Sequence, residues 1–352
     1  MRDTTPVNFR AAALAAAVAG FLAAPAVRGE TLTVVTTTTD LKAITETVGG
    51  DRVRVTSISR GYEDPHFVQA KPSYMMVARK ADLWIRVGLE LEIGWEGLIL
   101  DGSRNPRIRI GTPGHLDASE QVLRLEVPKV RVTRELGDVH PLGNPHYWLD
   151  PLNARLVAKT IAERLGRLVP GEVDTFSRSC RAFQEALDTR MFGAELVREV
   201  GGNALWALEV KGQLLDVLKS RGRADRLGGW RGRMLPWRGV KIVTYHRSWS
   251  YFANRFEIEV PVELEPKPGV PPSPSHLAEV IDRMTTDRVP VILTEPFYSP
   301  KAPDLVAEKT GAQVVVCANS VGGQEEARDY FALIDLIVSR LETALRNAAP
   351  AE

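Results

Sequence analysis

Cysteine is scarce in this chain, which contains only Cys180 and Cys317. Two cysteines so far apart in sequence cannot form a zinc knuckle, and they allow at most one disulfide. Cys180 falls in a predicted helix, whereas Cys317 ends a predicted strand in the other half of the chain. We therefore expect two buried, unpaired thiols rather than a bridge, although an oxidising compartment would permit one.

An excess of charge of either sign is also missing. The chain has 45 basic and 44 acidic side chains among 352 residues, and its formal net charge is +1. Nucleic-acid and membrane-surface partners usually require a basic excess, so we expect neither. The length is sufficient for about two domains.

Long apolar runs are absent beyond the first thirty residues. Arg2 and Arg10 precede an uncharged, alanine-rich stretch at 11–26, and small residues at 24–26 suit cleavage near 26–29. This pattern is typical of a secretory signal peptide and is too short for a comfortable transmembrane helix. We predict that residues 1–29 are a signal peptide. With no cysteine near the cleavage site for a lipid anchor, the mature protein is expected in the periplasm.

What the sequence does contain is an alternation of strand and helix patterns. In the first half we predict strands at 31–38, 53–58 and 83–87, and helices at 41–48, 71–79, 90–100 and 151–168. In the second half we predict strands at 240–245, 289–294 and 312–317, and helices at 248–256, 276–285, 301–310 and 327–348. Between them, 173–200 is predicted as one long helix. Asp40 is a predicted cap of the first helix.

This alternation predicts an α/β fold of two parallel-sheet lobes joined by one long rigid helix. The predicted segments are the first lobe at 30–169, the connecting helix at 170–201, a linker or loop at 202–238, and the second lobe at 239–352. Within the linker, the Gly- and Arg-rich stretch 221–233 is predicted to be a solvated loop. Ligands of such sheets bind beyond the carboxyl ends of the strands, where His246 and Glu295 are placed by this prediction.

Three of the six histidines occur in separate short motifs. His66 follows Asp64-Pro65, His146 follows Asn144-Pro145, and His246 follows a predicted strand. A proline before His66 and before His146 restricts the local backbone and helps to hold each imidazole in one direction. Any one of them alone would be an ordinary polar residue. Three imidazoles converging with a carboxylate would make a tight site for a metal such as zinc.

The carboxylate of such a site is less clearly indicated. Glu295 at a strand end is the first candidate, and Glu63 and Asp64 beside His66 are others. Glu265 is a candidate for orienting a neighbouring ligand, and His140 for a transient metal contact. Asp150 is expected either to cap the helix that follows it or to hold His146 by its second nitrogen, and both alternatives remain open.

Taken together, the motifs resemble the zinc- and manganese-binding solute-binding proteins of bacterial ABC importers. The matching stretches are 64–66 with 71–73, 88–92 with 95, 144–151, 243–246 with 251–252, 272–275 and 294–296. The resemblance spans about 31–345. It implies two α/β lobes with the metal in the cleft between them and nitrogen ligands at His66, His146 and His246. It also implies a monomer that delivers the metal to an ABC importer membrane permease.

Two positions decide which metal the resemblance implies. Manganese-selective members often have a carboxylate at the third ligand position, whereas this chain has His246, which favours Zn²⁺ over Mn²⁺. The family's usual fourth ligand is an Asp after the last strand of the second lobe, whereas this chain has Asn319 there. An amide oxygen is a poorer zinc ligand than a carboxylate, so Asn319, Glu295, Glu63 and water remain alternatives.

The expected function is therefore capture of a divalent transition metal, without enzymatic activity. Neutral imidazole is the metal-binding form, so affinity should fall as the pH drops through about 6.5. One alternative is a manganese- or iron-specific protein of the same family. A second is a secreted zinc hydrolase with Glu295 as general base, although the chain has no His-Glu-x-x-His motif. A third is an adhesin that uses the same fold for cell attachment.

Overall fold

The computed structural model describes residues 1–2, 31–129 and 140–348. The predicted signal peptide lies outside the described residues except for its first two. From Thr31 onward the chain forms one structural unit. Among the described helices, none is both long enough and apolar enough to cross a bilayer.

The first lobe contains a parallel sheet in the strand order β2-β1-β3-β4. Its strands are β1 (Leu32–Thr36), β2 (Val53–Ser57), β3 (Leu83–Arg86) and β4 (His115–Asp117). Its helices are α1 (Thr39–Gly49), α2 (Pro72–Arg79), α3 (Glu96–Ser103) and α4 (Pro151–Leu168). Val34 and Val35 point to opposite faces of β1, and both are fully buried. Burial on both faces is what a parallel sheet covered by helices requires.

The second lobe contains a smaller parallel sheet in the order β5-β6-β7. Its strands are β5 (Val243–Thr244), β6 (Val291–Thr294) and β7 (Gln313–Val316). Its helices are α10 (Ser250–Phe256), α11 (Pro274–Asp287), α12 (Lys301–Thr310) and α13 (Tyr330–Ala348). The predicted class, an α/β fold with two parallel-sheet lobes, is confirmed.

Five further helices lie between α4 and β5 along the chain. They are α5 (Val173–Phe192), α6 (Ala194–Val200), α7 (Gly202–Val210), α8 (Leu214–Ser220) and α9 (Gly229–Met234). Helix α5 packs against α1 and α4, which belong to the first lobe, and also against α9. The prediction of one helix over 173–200 is wrong at Gly193, whose φ of +89° ends α5 in a conformation that L side chains rarely adopt.

The prediction of a linker or loop at 202–238 is also wrong, because this interval contains α7, α8 and α9. Trp230 and Arg231, which were assigned to a solvated loop, are 2% and 3% exposed. Arg231 is held by ion pairs with Glu209 and Glu257. A glycine- and arginine-rich composition suggests exposure, but here the guanidinium is buried and paired with two carboxylates, of which that of Glu209 is 7% exposed.

Helix α1 is capped by Thr38, whose hydroxyl accepts a hydrogen bond from the Leu41 amide at 3.5 Å. The prediction that Asp40 is the cap is therefore wrong. Asp40 lies in the first turn of the helix and accepts a hydrogen bond from the Val321 amide at 2.9 Å, which joins the two lobes. Burial raises the pKa of Asp40 to about 7, although hydrogen bonds from Val321 and Ser320 oppose that rise.

A second contact between the lobes involves backbone atoms on both sides. Gly61 lies so close to the 321–323 segment that a Cβ atom added there would overlap the carbonyl oxygen of Val321. Only glycine avoids this overlap, because it has no side chain. The two lobes are therefore in direct contact beside the cleft.

Two further expectations concern the first lobe and the cysteines. The helix predicted at 90–100 begins only at Glu96, because Leu89 and Glu90 have positive φ angles that a helix cannot contain. Cys180 and Cys317 are both buried and unpaired, as expected.

Candidate metal centre

Three histidines converge in the cleft between the lobes. One ring nitrogen from each of His66, His146 and His246 lies within 4.8 Å of the other two. Their ring centroids are 5.1 Å apart for His66 and His146, 5.6 Å for His66 and His246, and 5.4 Å for His146 and His246. His66 lies in the loop after β2, His146 in the turn before α4, and His246 two residues after the end of β5. The fold thus joins three motifs that are far apart in sequence.

The same local turn positions two of these histidines. The Asp64 side chain accepts a hydrogen bond from the His66 amide at 3.0 Å, and the Asn144 side chain accepts one from the His146 amide at 2.9 Å. In both turns the residue between them is a proline, which fixes φ. Short polar side chains that bond the backbone two residues ahead form such turns, so an Asp or Asn two residues before each histidine is a sequence signal for this geometry, beside the proline.

Two of the imidazoles are also held by carboxylates. Asp64 Oδ1 lies 2.7 Å from His66 Nδ1, and Glu265 Oε2 lies 2.7 Å from His246 Nδ1. Such a carboxylate fixes a proton on Nδ1 and leaves Nε2 available. Burial alone would raise the pKa of Asp64, but the hydrogen bond and charge of His66 hold it below its usual value. The structure therefore gives Glu265 the orienting position that the sequence indicated, and it gives Asp64 the equivalent one.

His146 differs from the other two. It is 2% exposed, and neither of its ring nitrogens has a hydrogen-bond partner among the described residues. Burial, followed by the nearby His66, His246 and His140, holds its pKa well below 6.5. The ring is therefore neutral at neutral pH, with a nitrogen lone pair available.

Asp150 does not hold His146. Its carboxylate accepts a hydrogen bond from the Leu152 amide at 2.9 Å, which caps α4, and both of its oxygens pair with Arg255 at 2.8 Å. Of the two alternatives for Asp150, the structure supports the helix cap.

The candidates for a fourth ligand occupy different positions. Glu295 is 1% exposed, one of its oxygens accepts a hydrogen bond from the Ser248 hydroxyl, and the other has no partner. Burial raises the pKa of Glu295 to about 8, against the hydrogen bond from Ser248 that lowers it. Within the described chain, the group of mutually close ligand atoms contains neither Glu295 nor Glu63.

Asn319 is also buried. It is 2% exposed, and its side-chain oxygen has no hydrogen-bond partner. Its backbone oxygen accepts a hydrogen bond from Trp148 at 2.8 Å, and the Trp148 ring lies 5.1 Å from that of His146. Trp148 thus links the Asn319 backbone to the turn that carries His146.

A fourth histidine approaches the cluster. His140 Nε2 lies 3.2 Å from His66 Nε2, and the two rings are stacked with centroids 5.2 Å apart. His140, His146 and His246 line a cavity of about 40 Å³. A volume of this order suits a single ion or water molecule and no larger ligand.

The comparison with known families agrees with this geometry. The chain matches the family described as zinc-uptake complex component A, periplasmic, over residues 34–191 and 231–344. The chain belongs to this family. The matched ranges include all three clustered histidines and the carboxylates that hold two of them. The unmatched interval between them includes helices α6, α7 and α8.

The relatives of this chain carry names with different metals. The iron-binding protein YfeA of Yersinia pestis is 25% identical over 315 residues, which cover 88% of this chain and 84% of that protein. The high-affinity zinc uptake system protein ZnuA of Brucella abortus is 23% identical over 205 residues, 58% of this chain and half of that protein. The manganese ABC transporter substrate-binding lipoprotein PsaA of Streptococcus pneumoniae is 20% identical over 319 residues, which cover 90% of this chain and 89% of that protein.

Solved structures show the same two-lobe fold. A crystal structure of ZnuA aligns with a TM-score of 0.66 at 22% identity, covering 90% of this chain and 99% of that one. A mutant structure of a laminin-binding adhesin, Lmb, from Streptococcus agalactiae also aligns with a TM-score of 0.66 at 22% identity, covering 89% of this chain and 99% of that one. The chain is thus a metal-binding substrate-binding protein of the ABC importer type by family, and the fold alone does not select the metal.

Proposed function

We propose that this protein captures Zn²⁺ in the periplasm and delivers it to the membrane permease of an ABC importer. Binding would occur at His66, His146 and His246, between a first lobe at about 31–169 and a second lobe at about 239–348. Family membership supports the transport role, because the relatives named above include substrate-binding proteins of metal importers. Helix α5 would connect the lobes and keep their relative motion small.

One observation carries the proposal. Three imidazole nitrogens lie within 4.8 Å of one another. Among the described residues, the buried atoms His146 Nε2, Glu295 Oε2 and Asn319 Oδ1 have no hydrogen-bond partner. Buried polar atoms without partners cost free energy, so native proteins rarely keep them without a reason. A divalent cation would supply a partner for a histidine nitrogen and, directly or through water, for these oxygens. Glu295 is our first choice for the fourth ligand, since a nearby cation would favour its ionised form.

The donor set supports zinc in preference to manganese. Three imidazoles suit Zn²⁺, whereas Mn²⁺ prefers oxygen ligands. His246 provides nitrogen at the position where manganese-selective members often have a carboxylate. The names of the relatives do not decide this point, since they include iron, zinc and manganese.

A zinc hydrolase is disfavoured by the space around the histidines. The cavity that the histidines His140, His146 and His246 themselves line measures about 40 Å³, which is too small for an organic substrate in contact with the imidazoles. Glu295, the general base in that alternative, is 1% exposed and bonded to Ser248. Both observations favour a site built for an ion.

The proposal is tested by metal competition. We expect the purified chain, stripped of metal and exposed to equal Zn²⁺, Mn²⁺ and Fe²⁺ without oxygen, to retain one zinc per chain. Elemental analysis after gel filtration measures this ratio. Retention of manganese or iron instead would overturn the choice of zinc. The absence of any stoichiometric metal would overturn the metal-carrier function itself.

The carboxylate that holds His246 should contribute to metal affinity. We expect Glu265→Gln to lower zinc affinity by about 10- to 100-fold, because an amide is a weaker acceptor for Nδ1–H than a carboxylate. Competition against a fluorescent chelator measures the change. Glu263→Gln is the matched control, since Glu263 pairs instead with Arg247, whose side chain is 47% exposed. Equal affinity in the two variants would show that Glu265 does not act through His246.

A further inference from the structure

A larger cavity adjoins the two carboxylates that hold the cluster histidines. It measures about 640 Å³ and is lined by Asp64 and Glu265 and by residues of both lobes. Six of these residues are aromatic: Tyr62, Phe67, Tyr74, Tyr245, Phe297 and Tyr298. This space, the aromatic cavity, has the volume of a small-molecule site and far exceeds what a bare metal ion occupies.

The rim and wall of the aromatic cavity consist of rings in different environments. Phe67 and Tyr62 are 68% and 50% exposed, so the cavity opens to solvent between them. Deeper in, Tyr245 and Tyr298 stack in parallel with centroids 4.0 Å apart. Exposed aromatic rings at the rim of a concave site are unusual on a soluble surface and mark ligand-binding grooves.

The charge of the cavity favours cations. Glu63, Asp64 and Glu265 line it together with a single basic residue, Lys71, which gives a formal excess of two negative charges. Aromatic faces add to this preference, because their quadrupole is negative above the ring. Two such contacts already exist on rings that line the cavity. The Lys71 ammonium lies 5.7 Å from the centroid of Tyr74, and the Arg60 guanidinium carbon lies 5.8 Å from the centroid of Tyr62.

We propose that the aromatic cavity binds a small organic cation of the alkylammonium or quaternary ammonium class. Its methyl or methylene groups would contact the rings, while its charge would face Asp64 and Glu265. An inorganic cation would gain little from aromatic walls, and an anion would be repelled by the carboxylates. This site is separate from the three histidines, and its occupation does not require a metal.

Two hydrogen bonds connect the aromatic cavity with the histidine cluster. Asp64 and Glu265 each bond a cluster imidazole at 2.7 Å and also line the aromatic cavity. An organic cation there would draw on the same carboxylate charge and make the imidazoles poorer electron donors. If the proposed metal function holds, on which this coupling rests, the organic cation lowers zinc affinity, and zinc lowers the affinity for the organic cation by the same factor.

Choline and its neutral isostere 3,3-dimethylbutan-1-ol test the site by isothermal titration of the metal-free full chain. We expect saturable choline binding and at least about tenfold weaker binding of the alcohol, because only choline carries charge. Sodium chloride at matched concentration controls for ionic strength. Failure of choline to bind, or equal binding of the two molecules, would overturn the proposal.

Variants localise the binding. Phe67→Ala should weaken choline binding severalfold, and its exposed ring can be removed without disturbing the core. Ile110→Ala, which removes a side chain that is 65% exposed and does not line the cavity, should leave binding unchanged. Equal effects of the two variants would place choline elsewhere and overturn the assignment.

A zinc titration at saturating choline tests the coupling. We expect a severalfold lower zinc affinity than in matched sodium chloride. Choline binding with unchanged zinc affinity would overturn the coupling. Choline binding by a chain that takes up no zinc would overturn the proposed metal function and still support the organic-cation site.

Discussion

Replacing His146 with alanine is expected to lower zinc affinity by roughly a thousandfold, or about 4 kcal/mol. Of the three clustered imidazoles, this one has neither ring nitrogen bonded within the described chain, and its low pKa keeps it neutral. It therefore gives up no hydrogen bond and no proton when it binds the ion. Elemental analysis and chelator competition should both show loss of the stoichiometric zinc.

The fold should survive this substitution, so the loss can be attributed to the site. Alanine removes a buried polar ring that makes no hydrogen bond, which offsets part of the cost of the cavity it leaves. His276→Ala is the control, because His276 bonds the backbone oxygen of Glu263 at 3.0 Å, outside the cluster. One zinc per chain retained in His146→Ala at unchanged affinity would remove His146 from the ligand set.

Arg255→Ala is expected to cost about 3–5 kcal/mol of unfolding free energy. Arg255 is 7% exposed, pairs with both oxygens of Asp150 at 2.8 Å, and lies 5.4 Å from the ring centroid of Trp206. Its removal would leave the Asp150 carboxylate buried with one backbone hydrogen bond and no cation. Urea unfolding followed by circular dichroism measures the change.

The low exposure of Arg255 and Asp150 distinguishes their ion pair from an ordinary surface ion pair. Arg238→Ala is the matched control: Arg238 pairs with Glu257, but its side chain is 58% exposed, so its loss should cost less than about 1 kcal/mol. Arg255→Lys should recover only part of the stability, because an ammonium cannot form the bidentate pair. Similar losses for Arg255→Ala and Arg238→Ala would contradict the buried-charge argument.

The sequence was informative where short motifs carry their own geometry. The Pro-His steps and the strand before His246 located the three residues that the fold brings together, and the resemblance implied that they meet. Their role as metal ligands stays a prediction. The orienting role of Glu265 was predicted from its position before Pro266, whereas the predicted role of Asp64 was that of a ligand, because the turn it forms depends on its own side chain.

Features that depend on distant contacts could not be predicted in this way. Asp40 was a reasonable helix cap by local rules, but its carboxylate bonds an amide 281 residues later. The partner of Glu295, Ser248, is likewise set by the packing of the second lobe. The prediction of a loop at 202–238 was wrong for a different reason. Its glycines and arginines were weighted above the apolar positions Leu205, Leu214 and Leu218, which are all buried.

The contact at Gly61 constrains how this protein can be recombined with its relatives. A chimera that combined the first lobe of another protein with this second lobe would inherit the 321–323 backbone as a fixed wall. Any donor lobe with a side chain at the position of Gly61 would push that wall away and separate the histidines, although every ligand was present. Compatibility between exchanged halves is therefore decided by one residue that touches no metal.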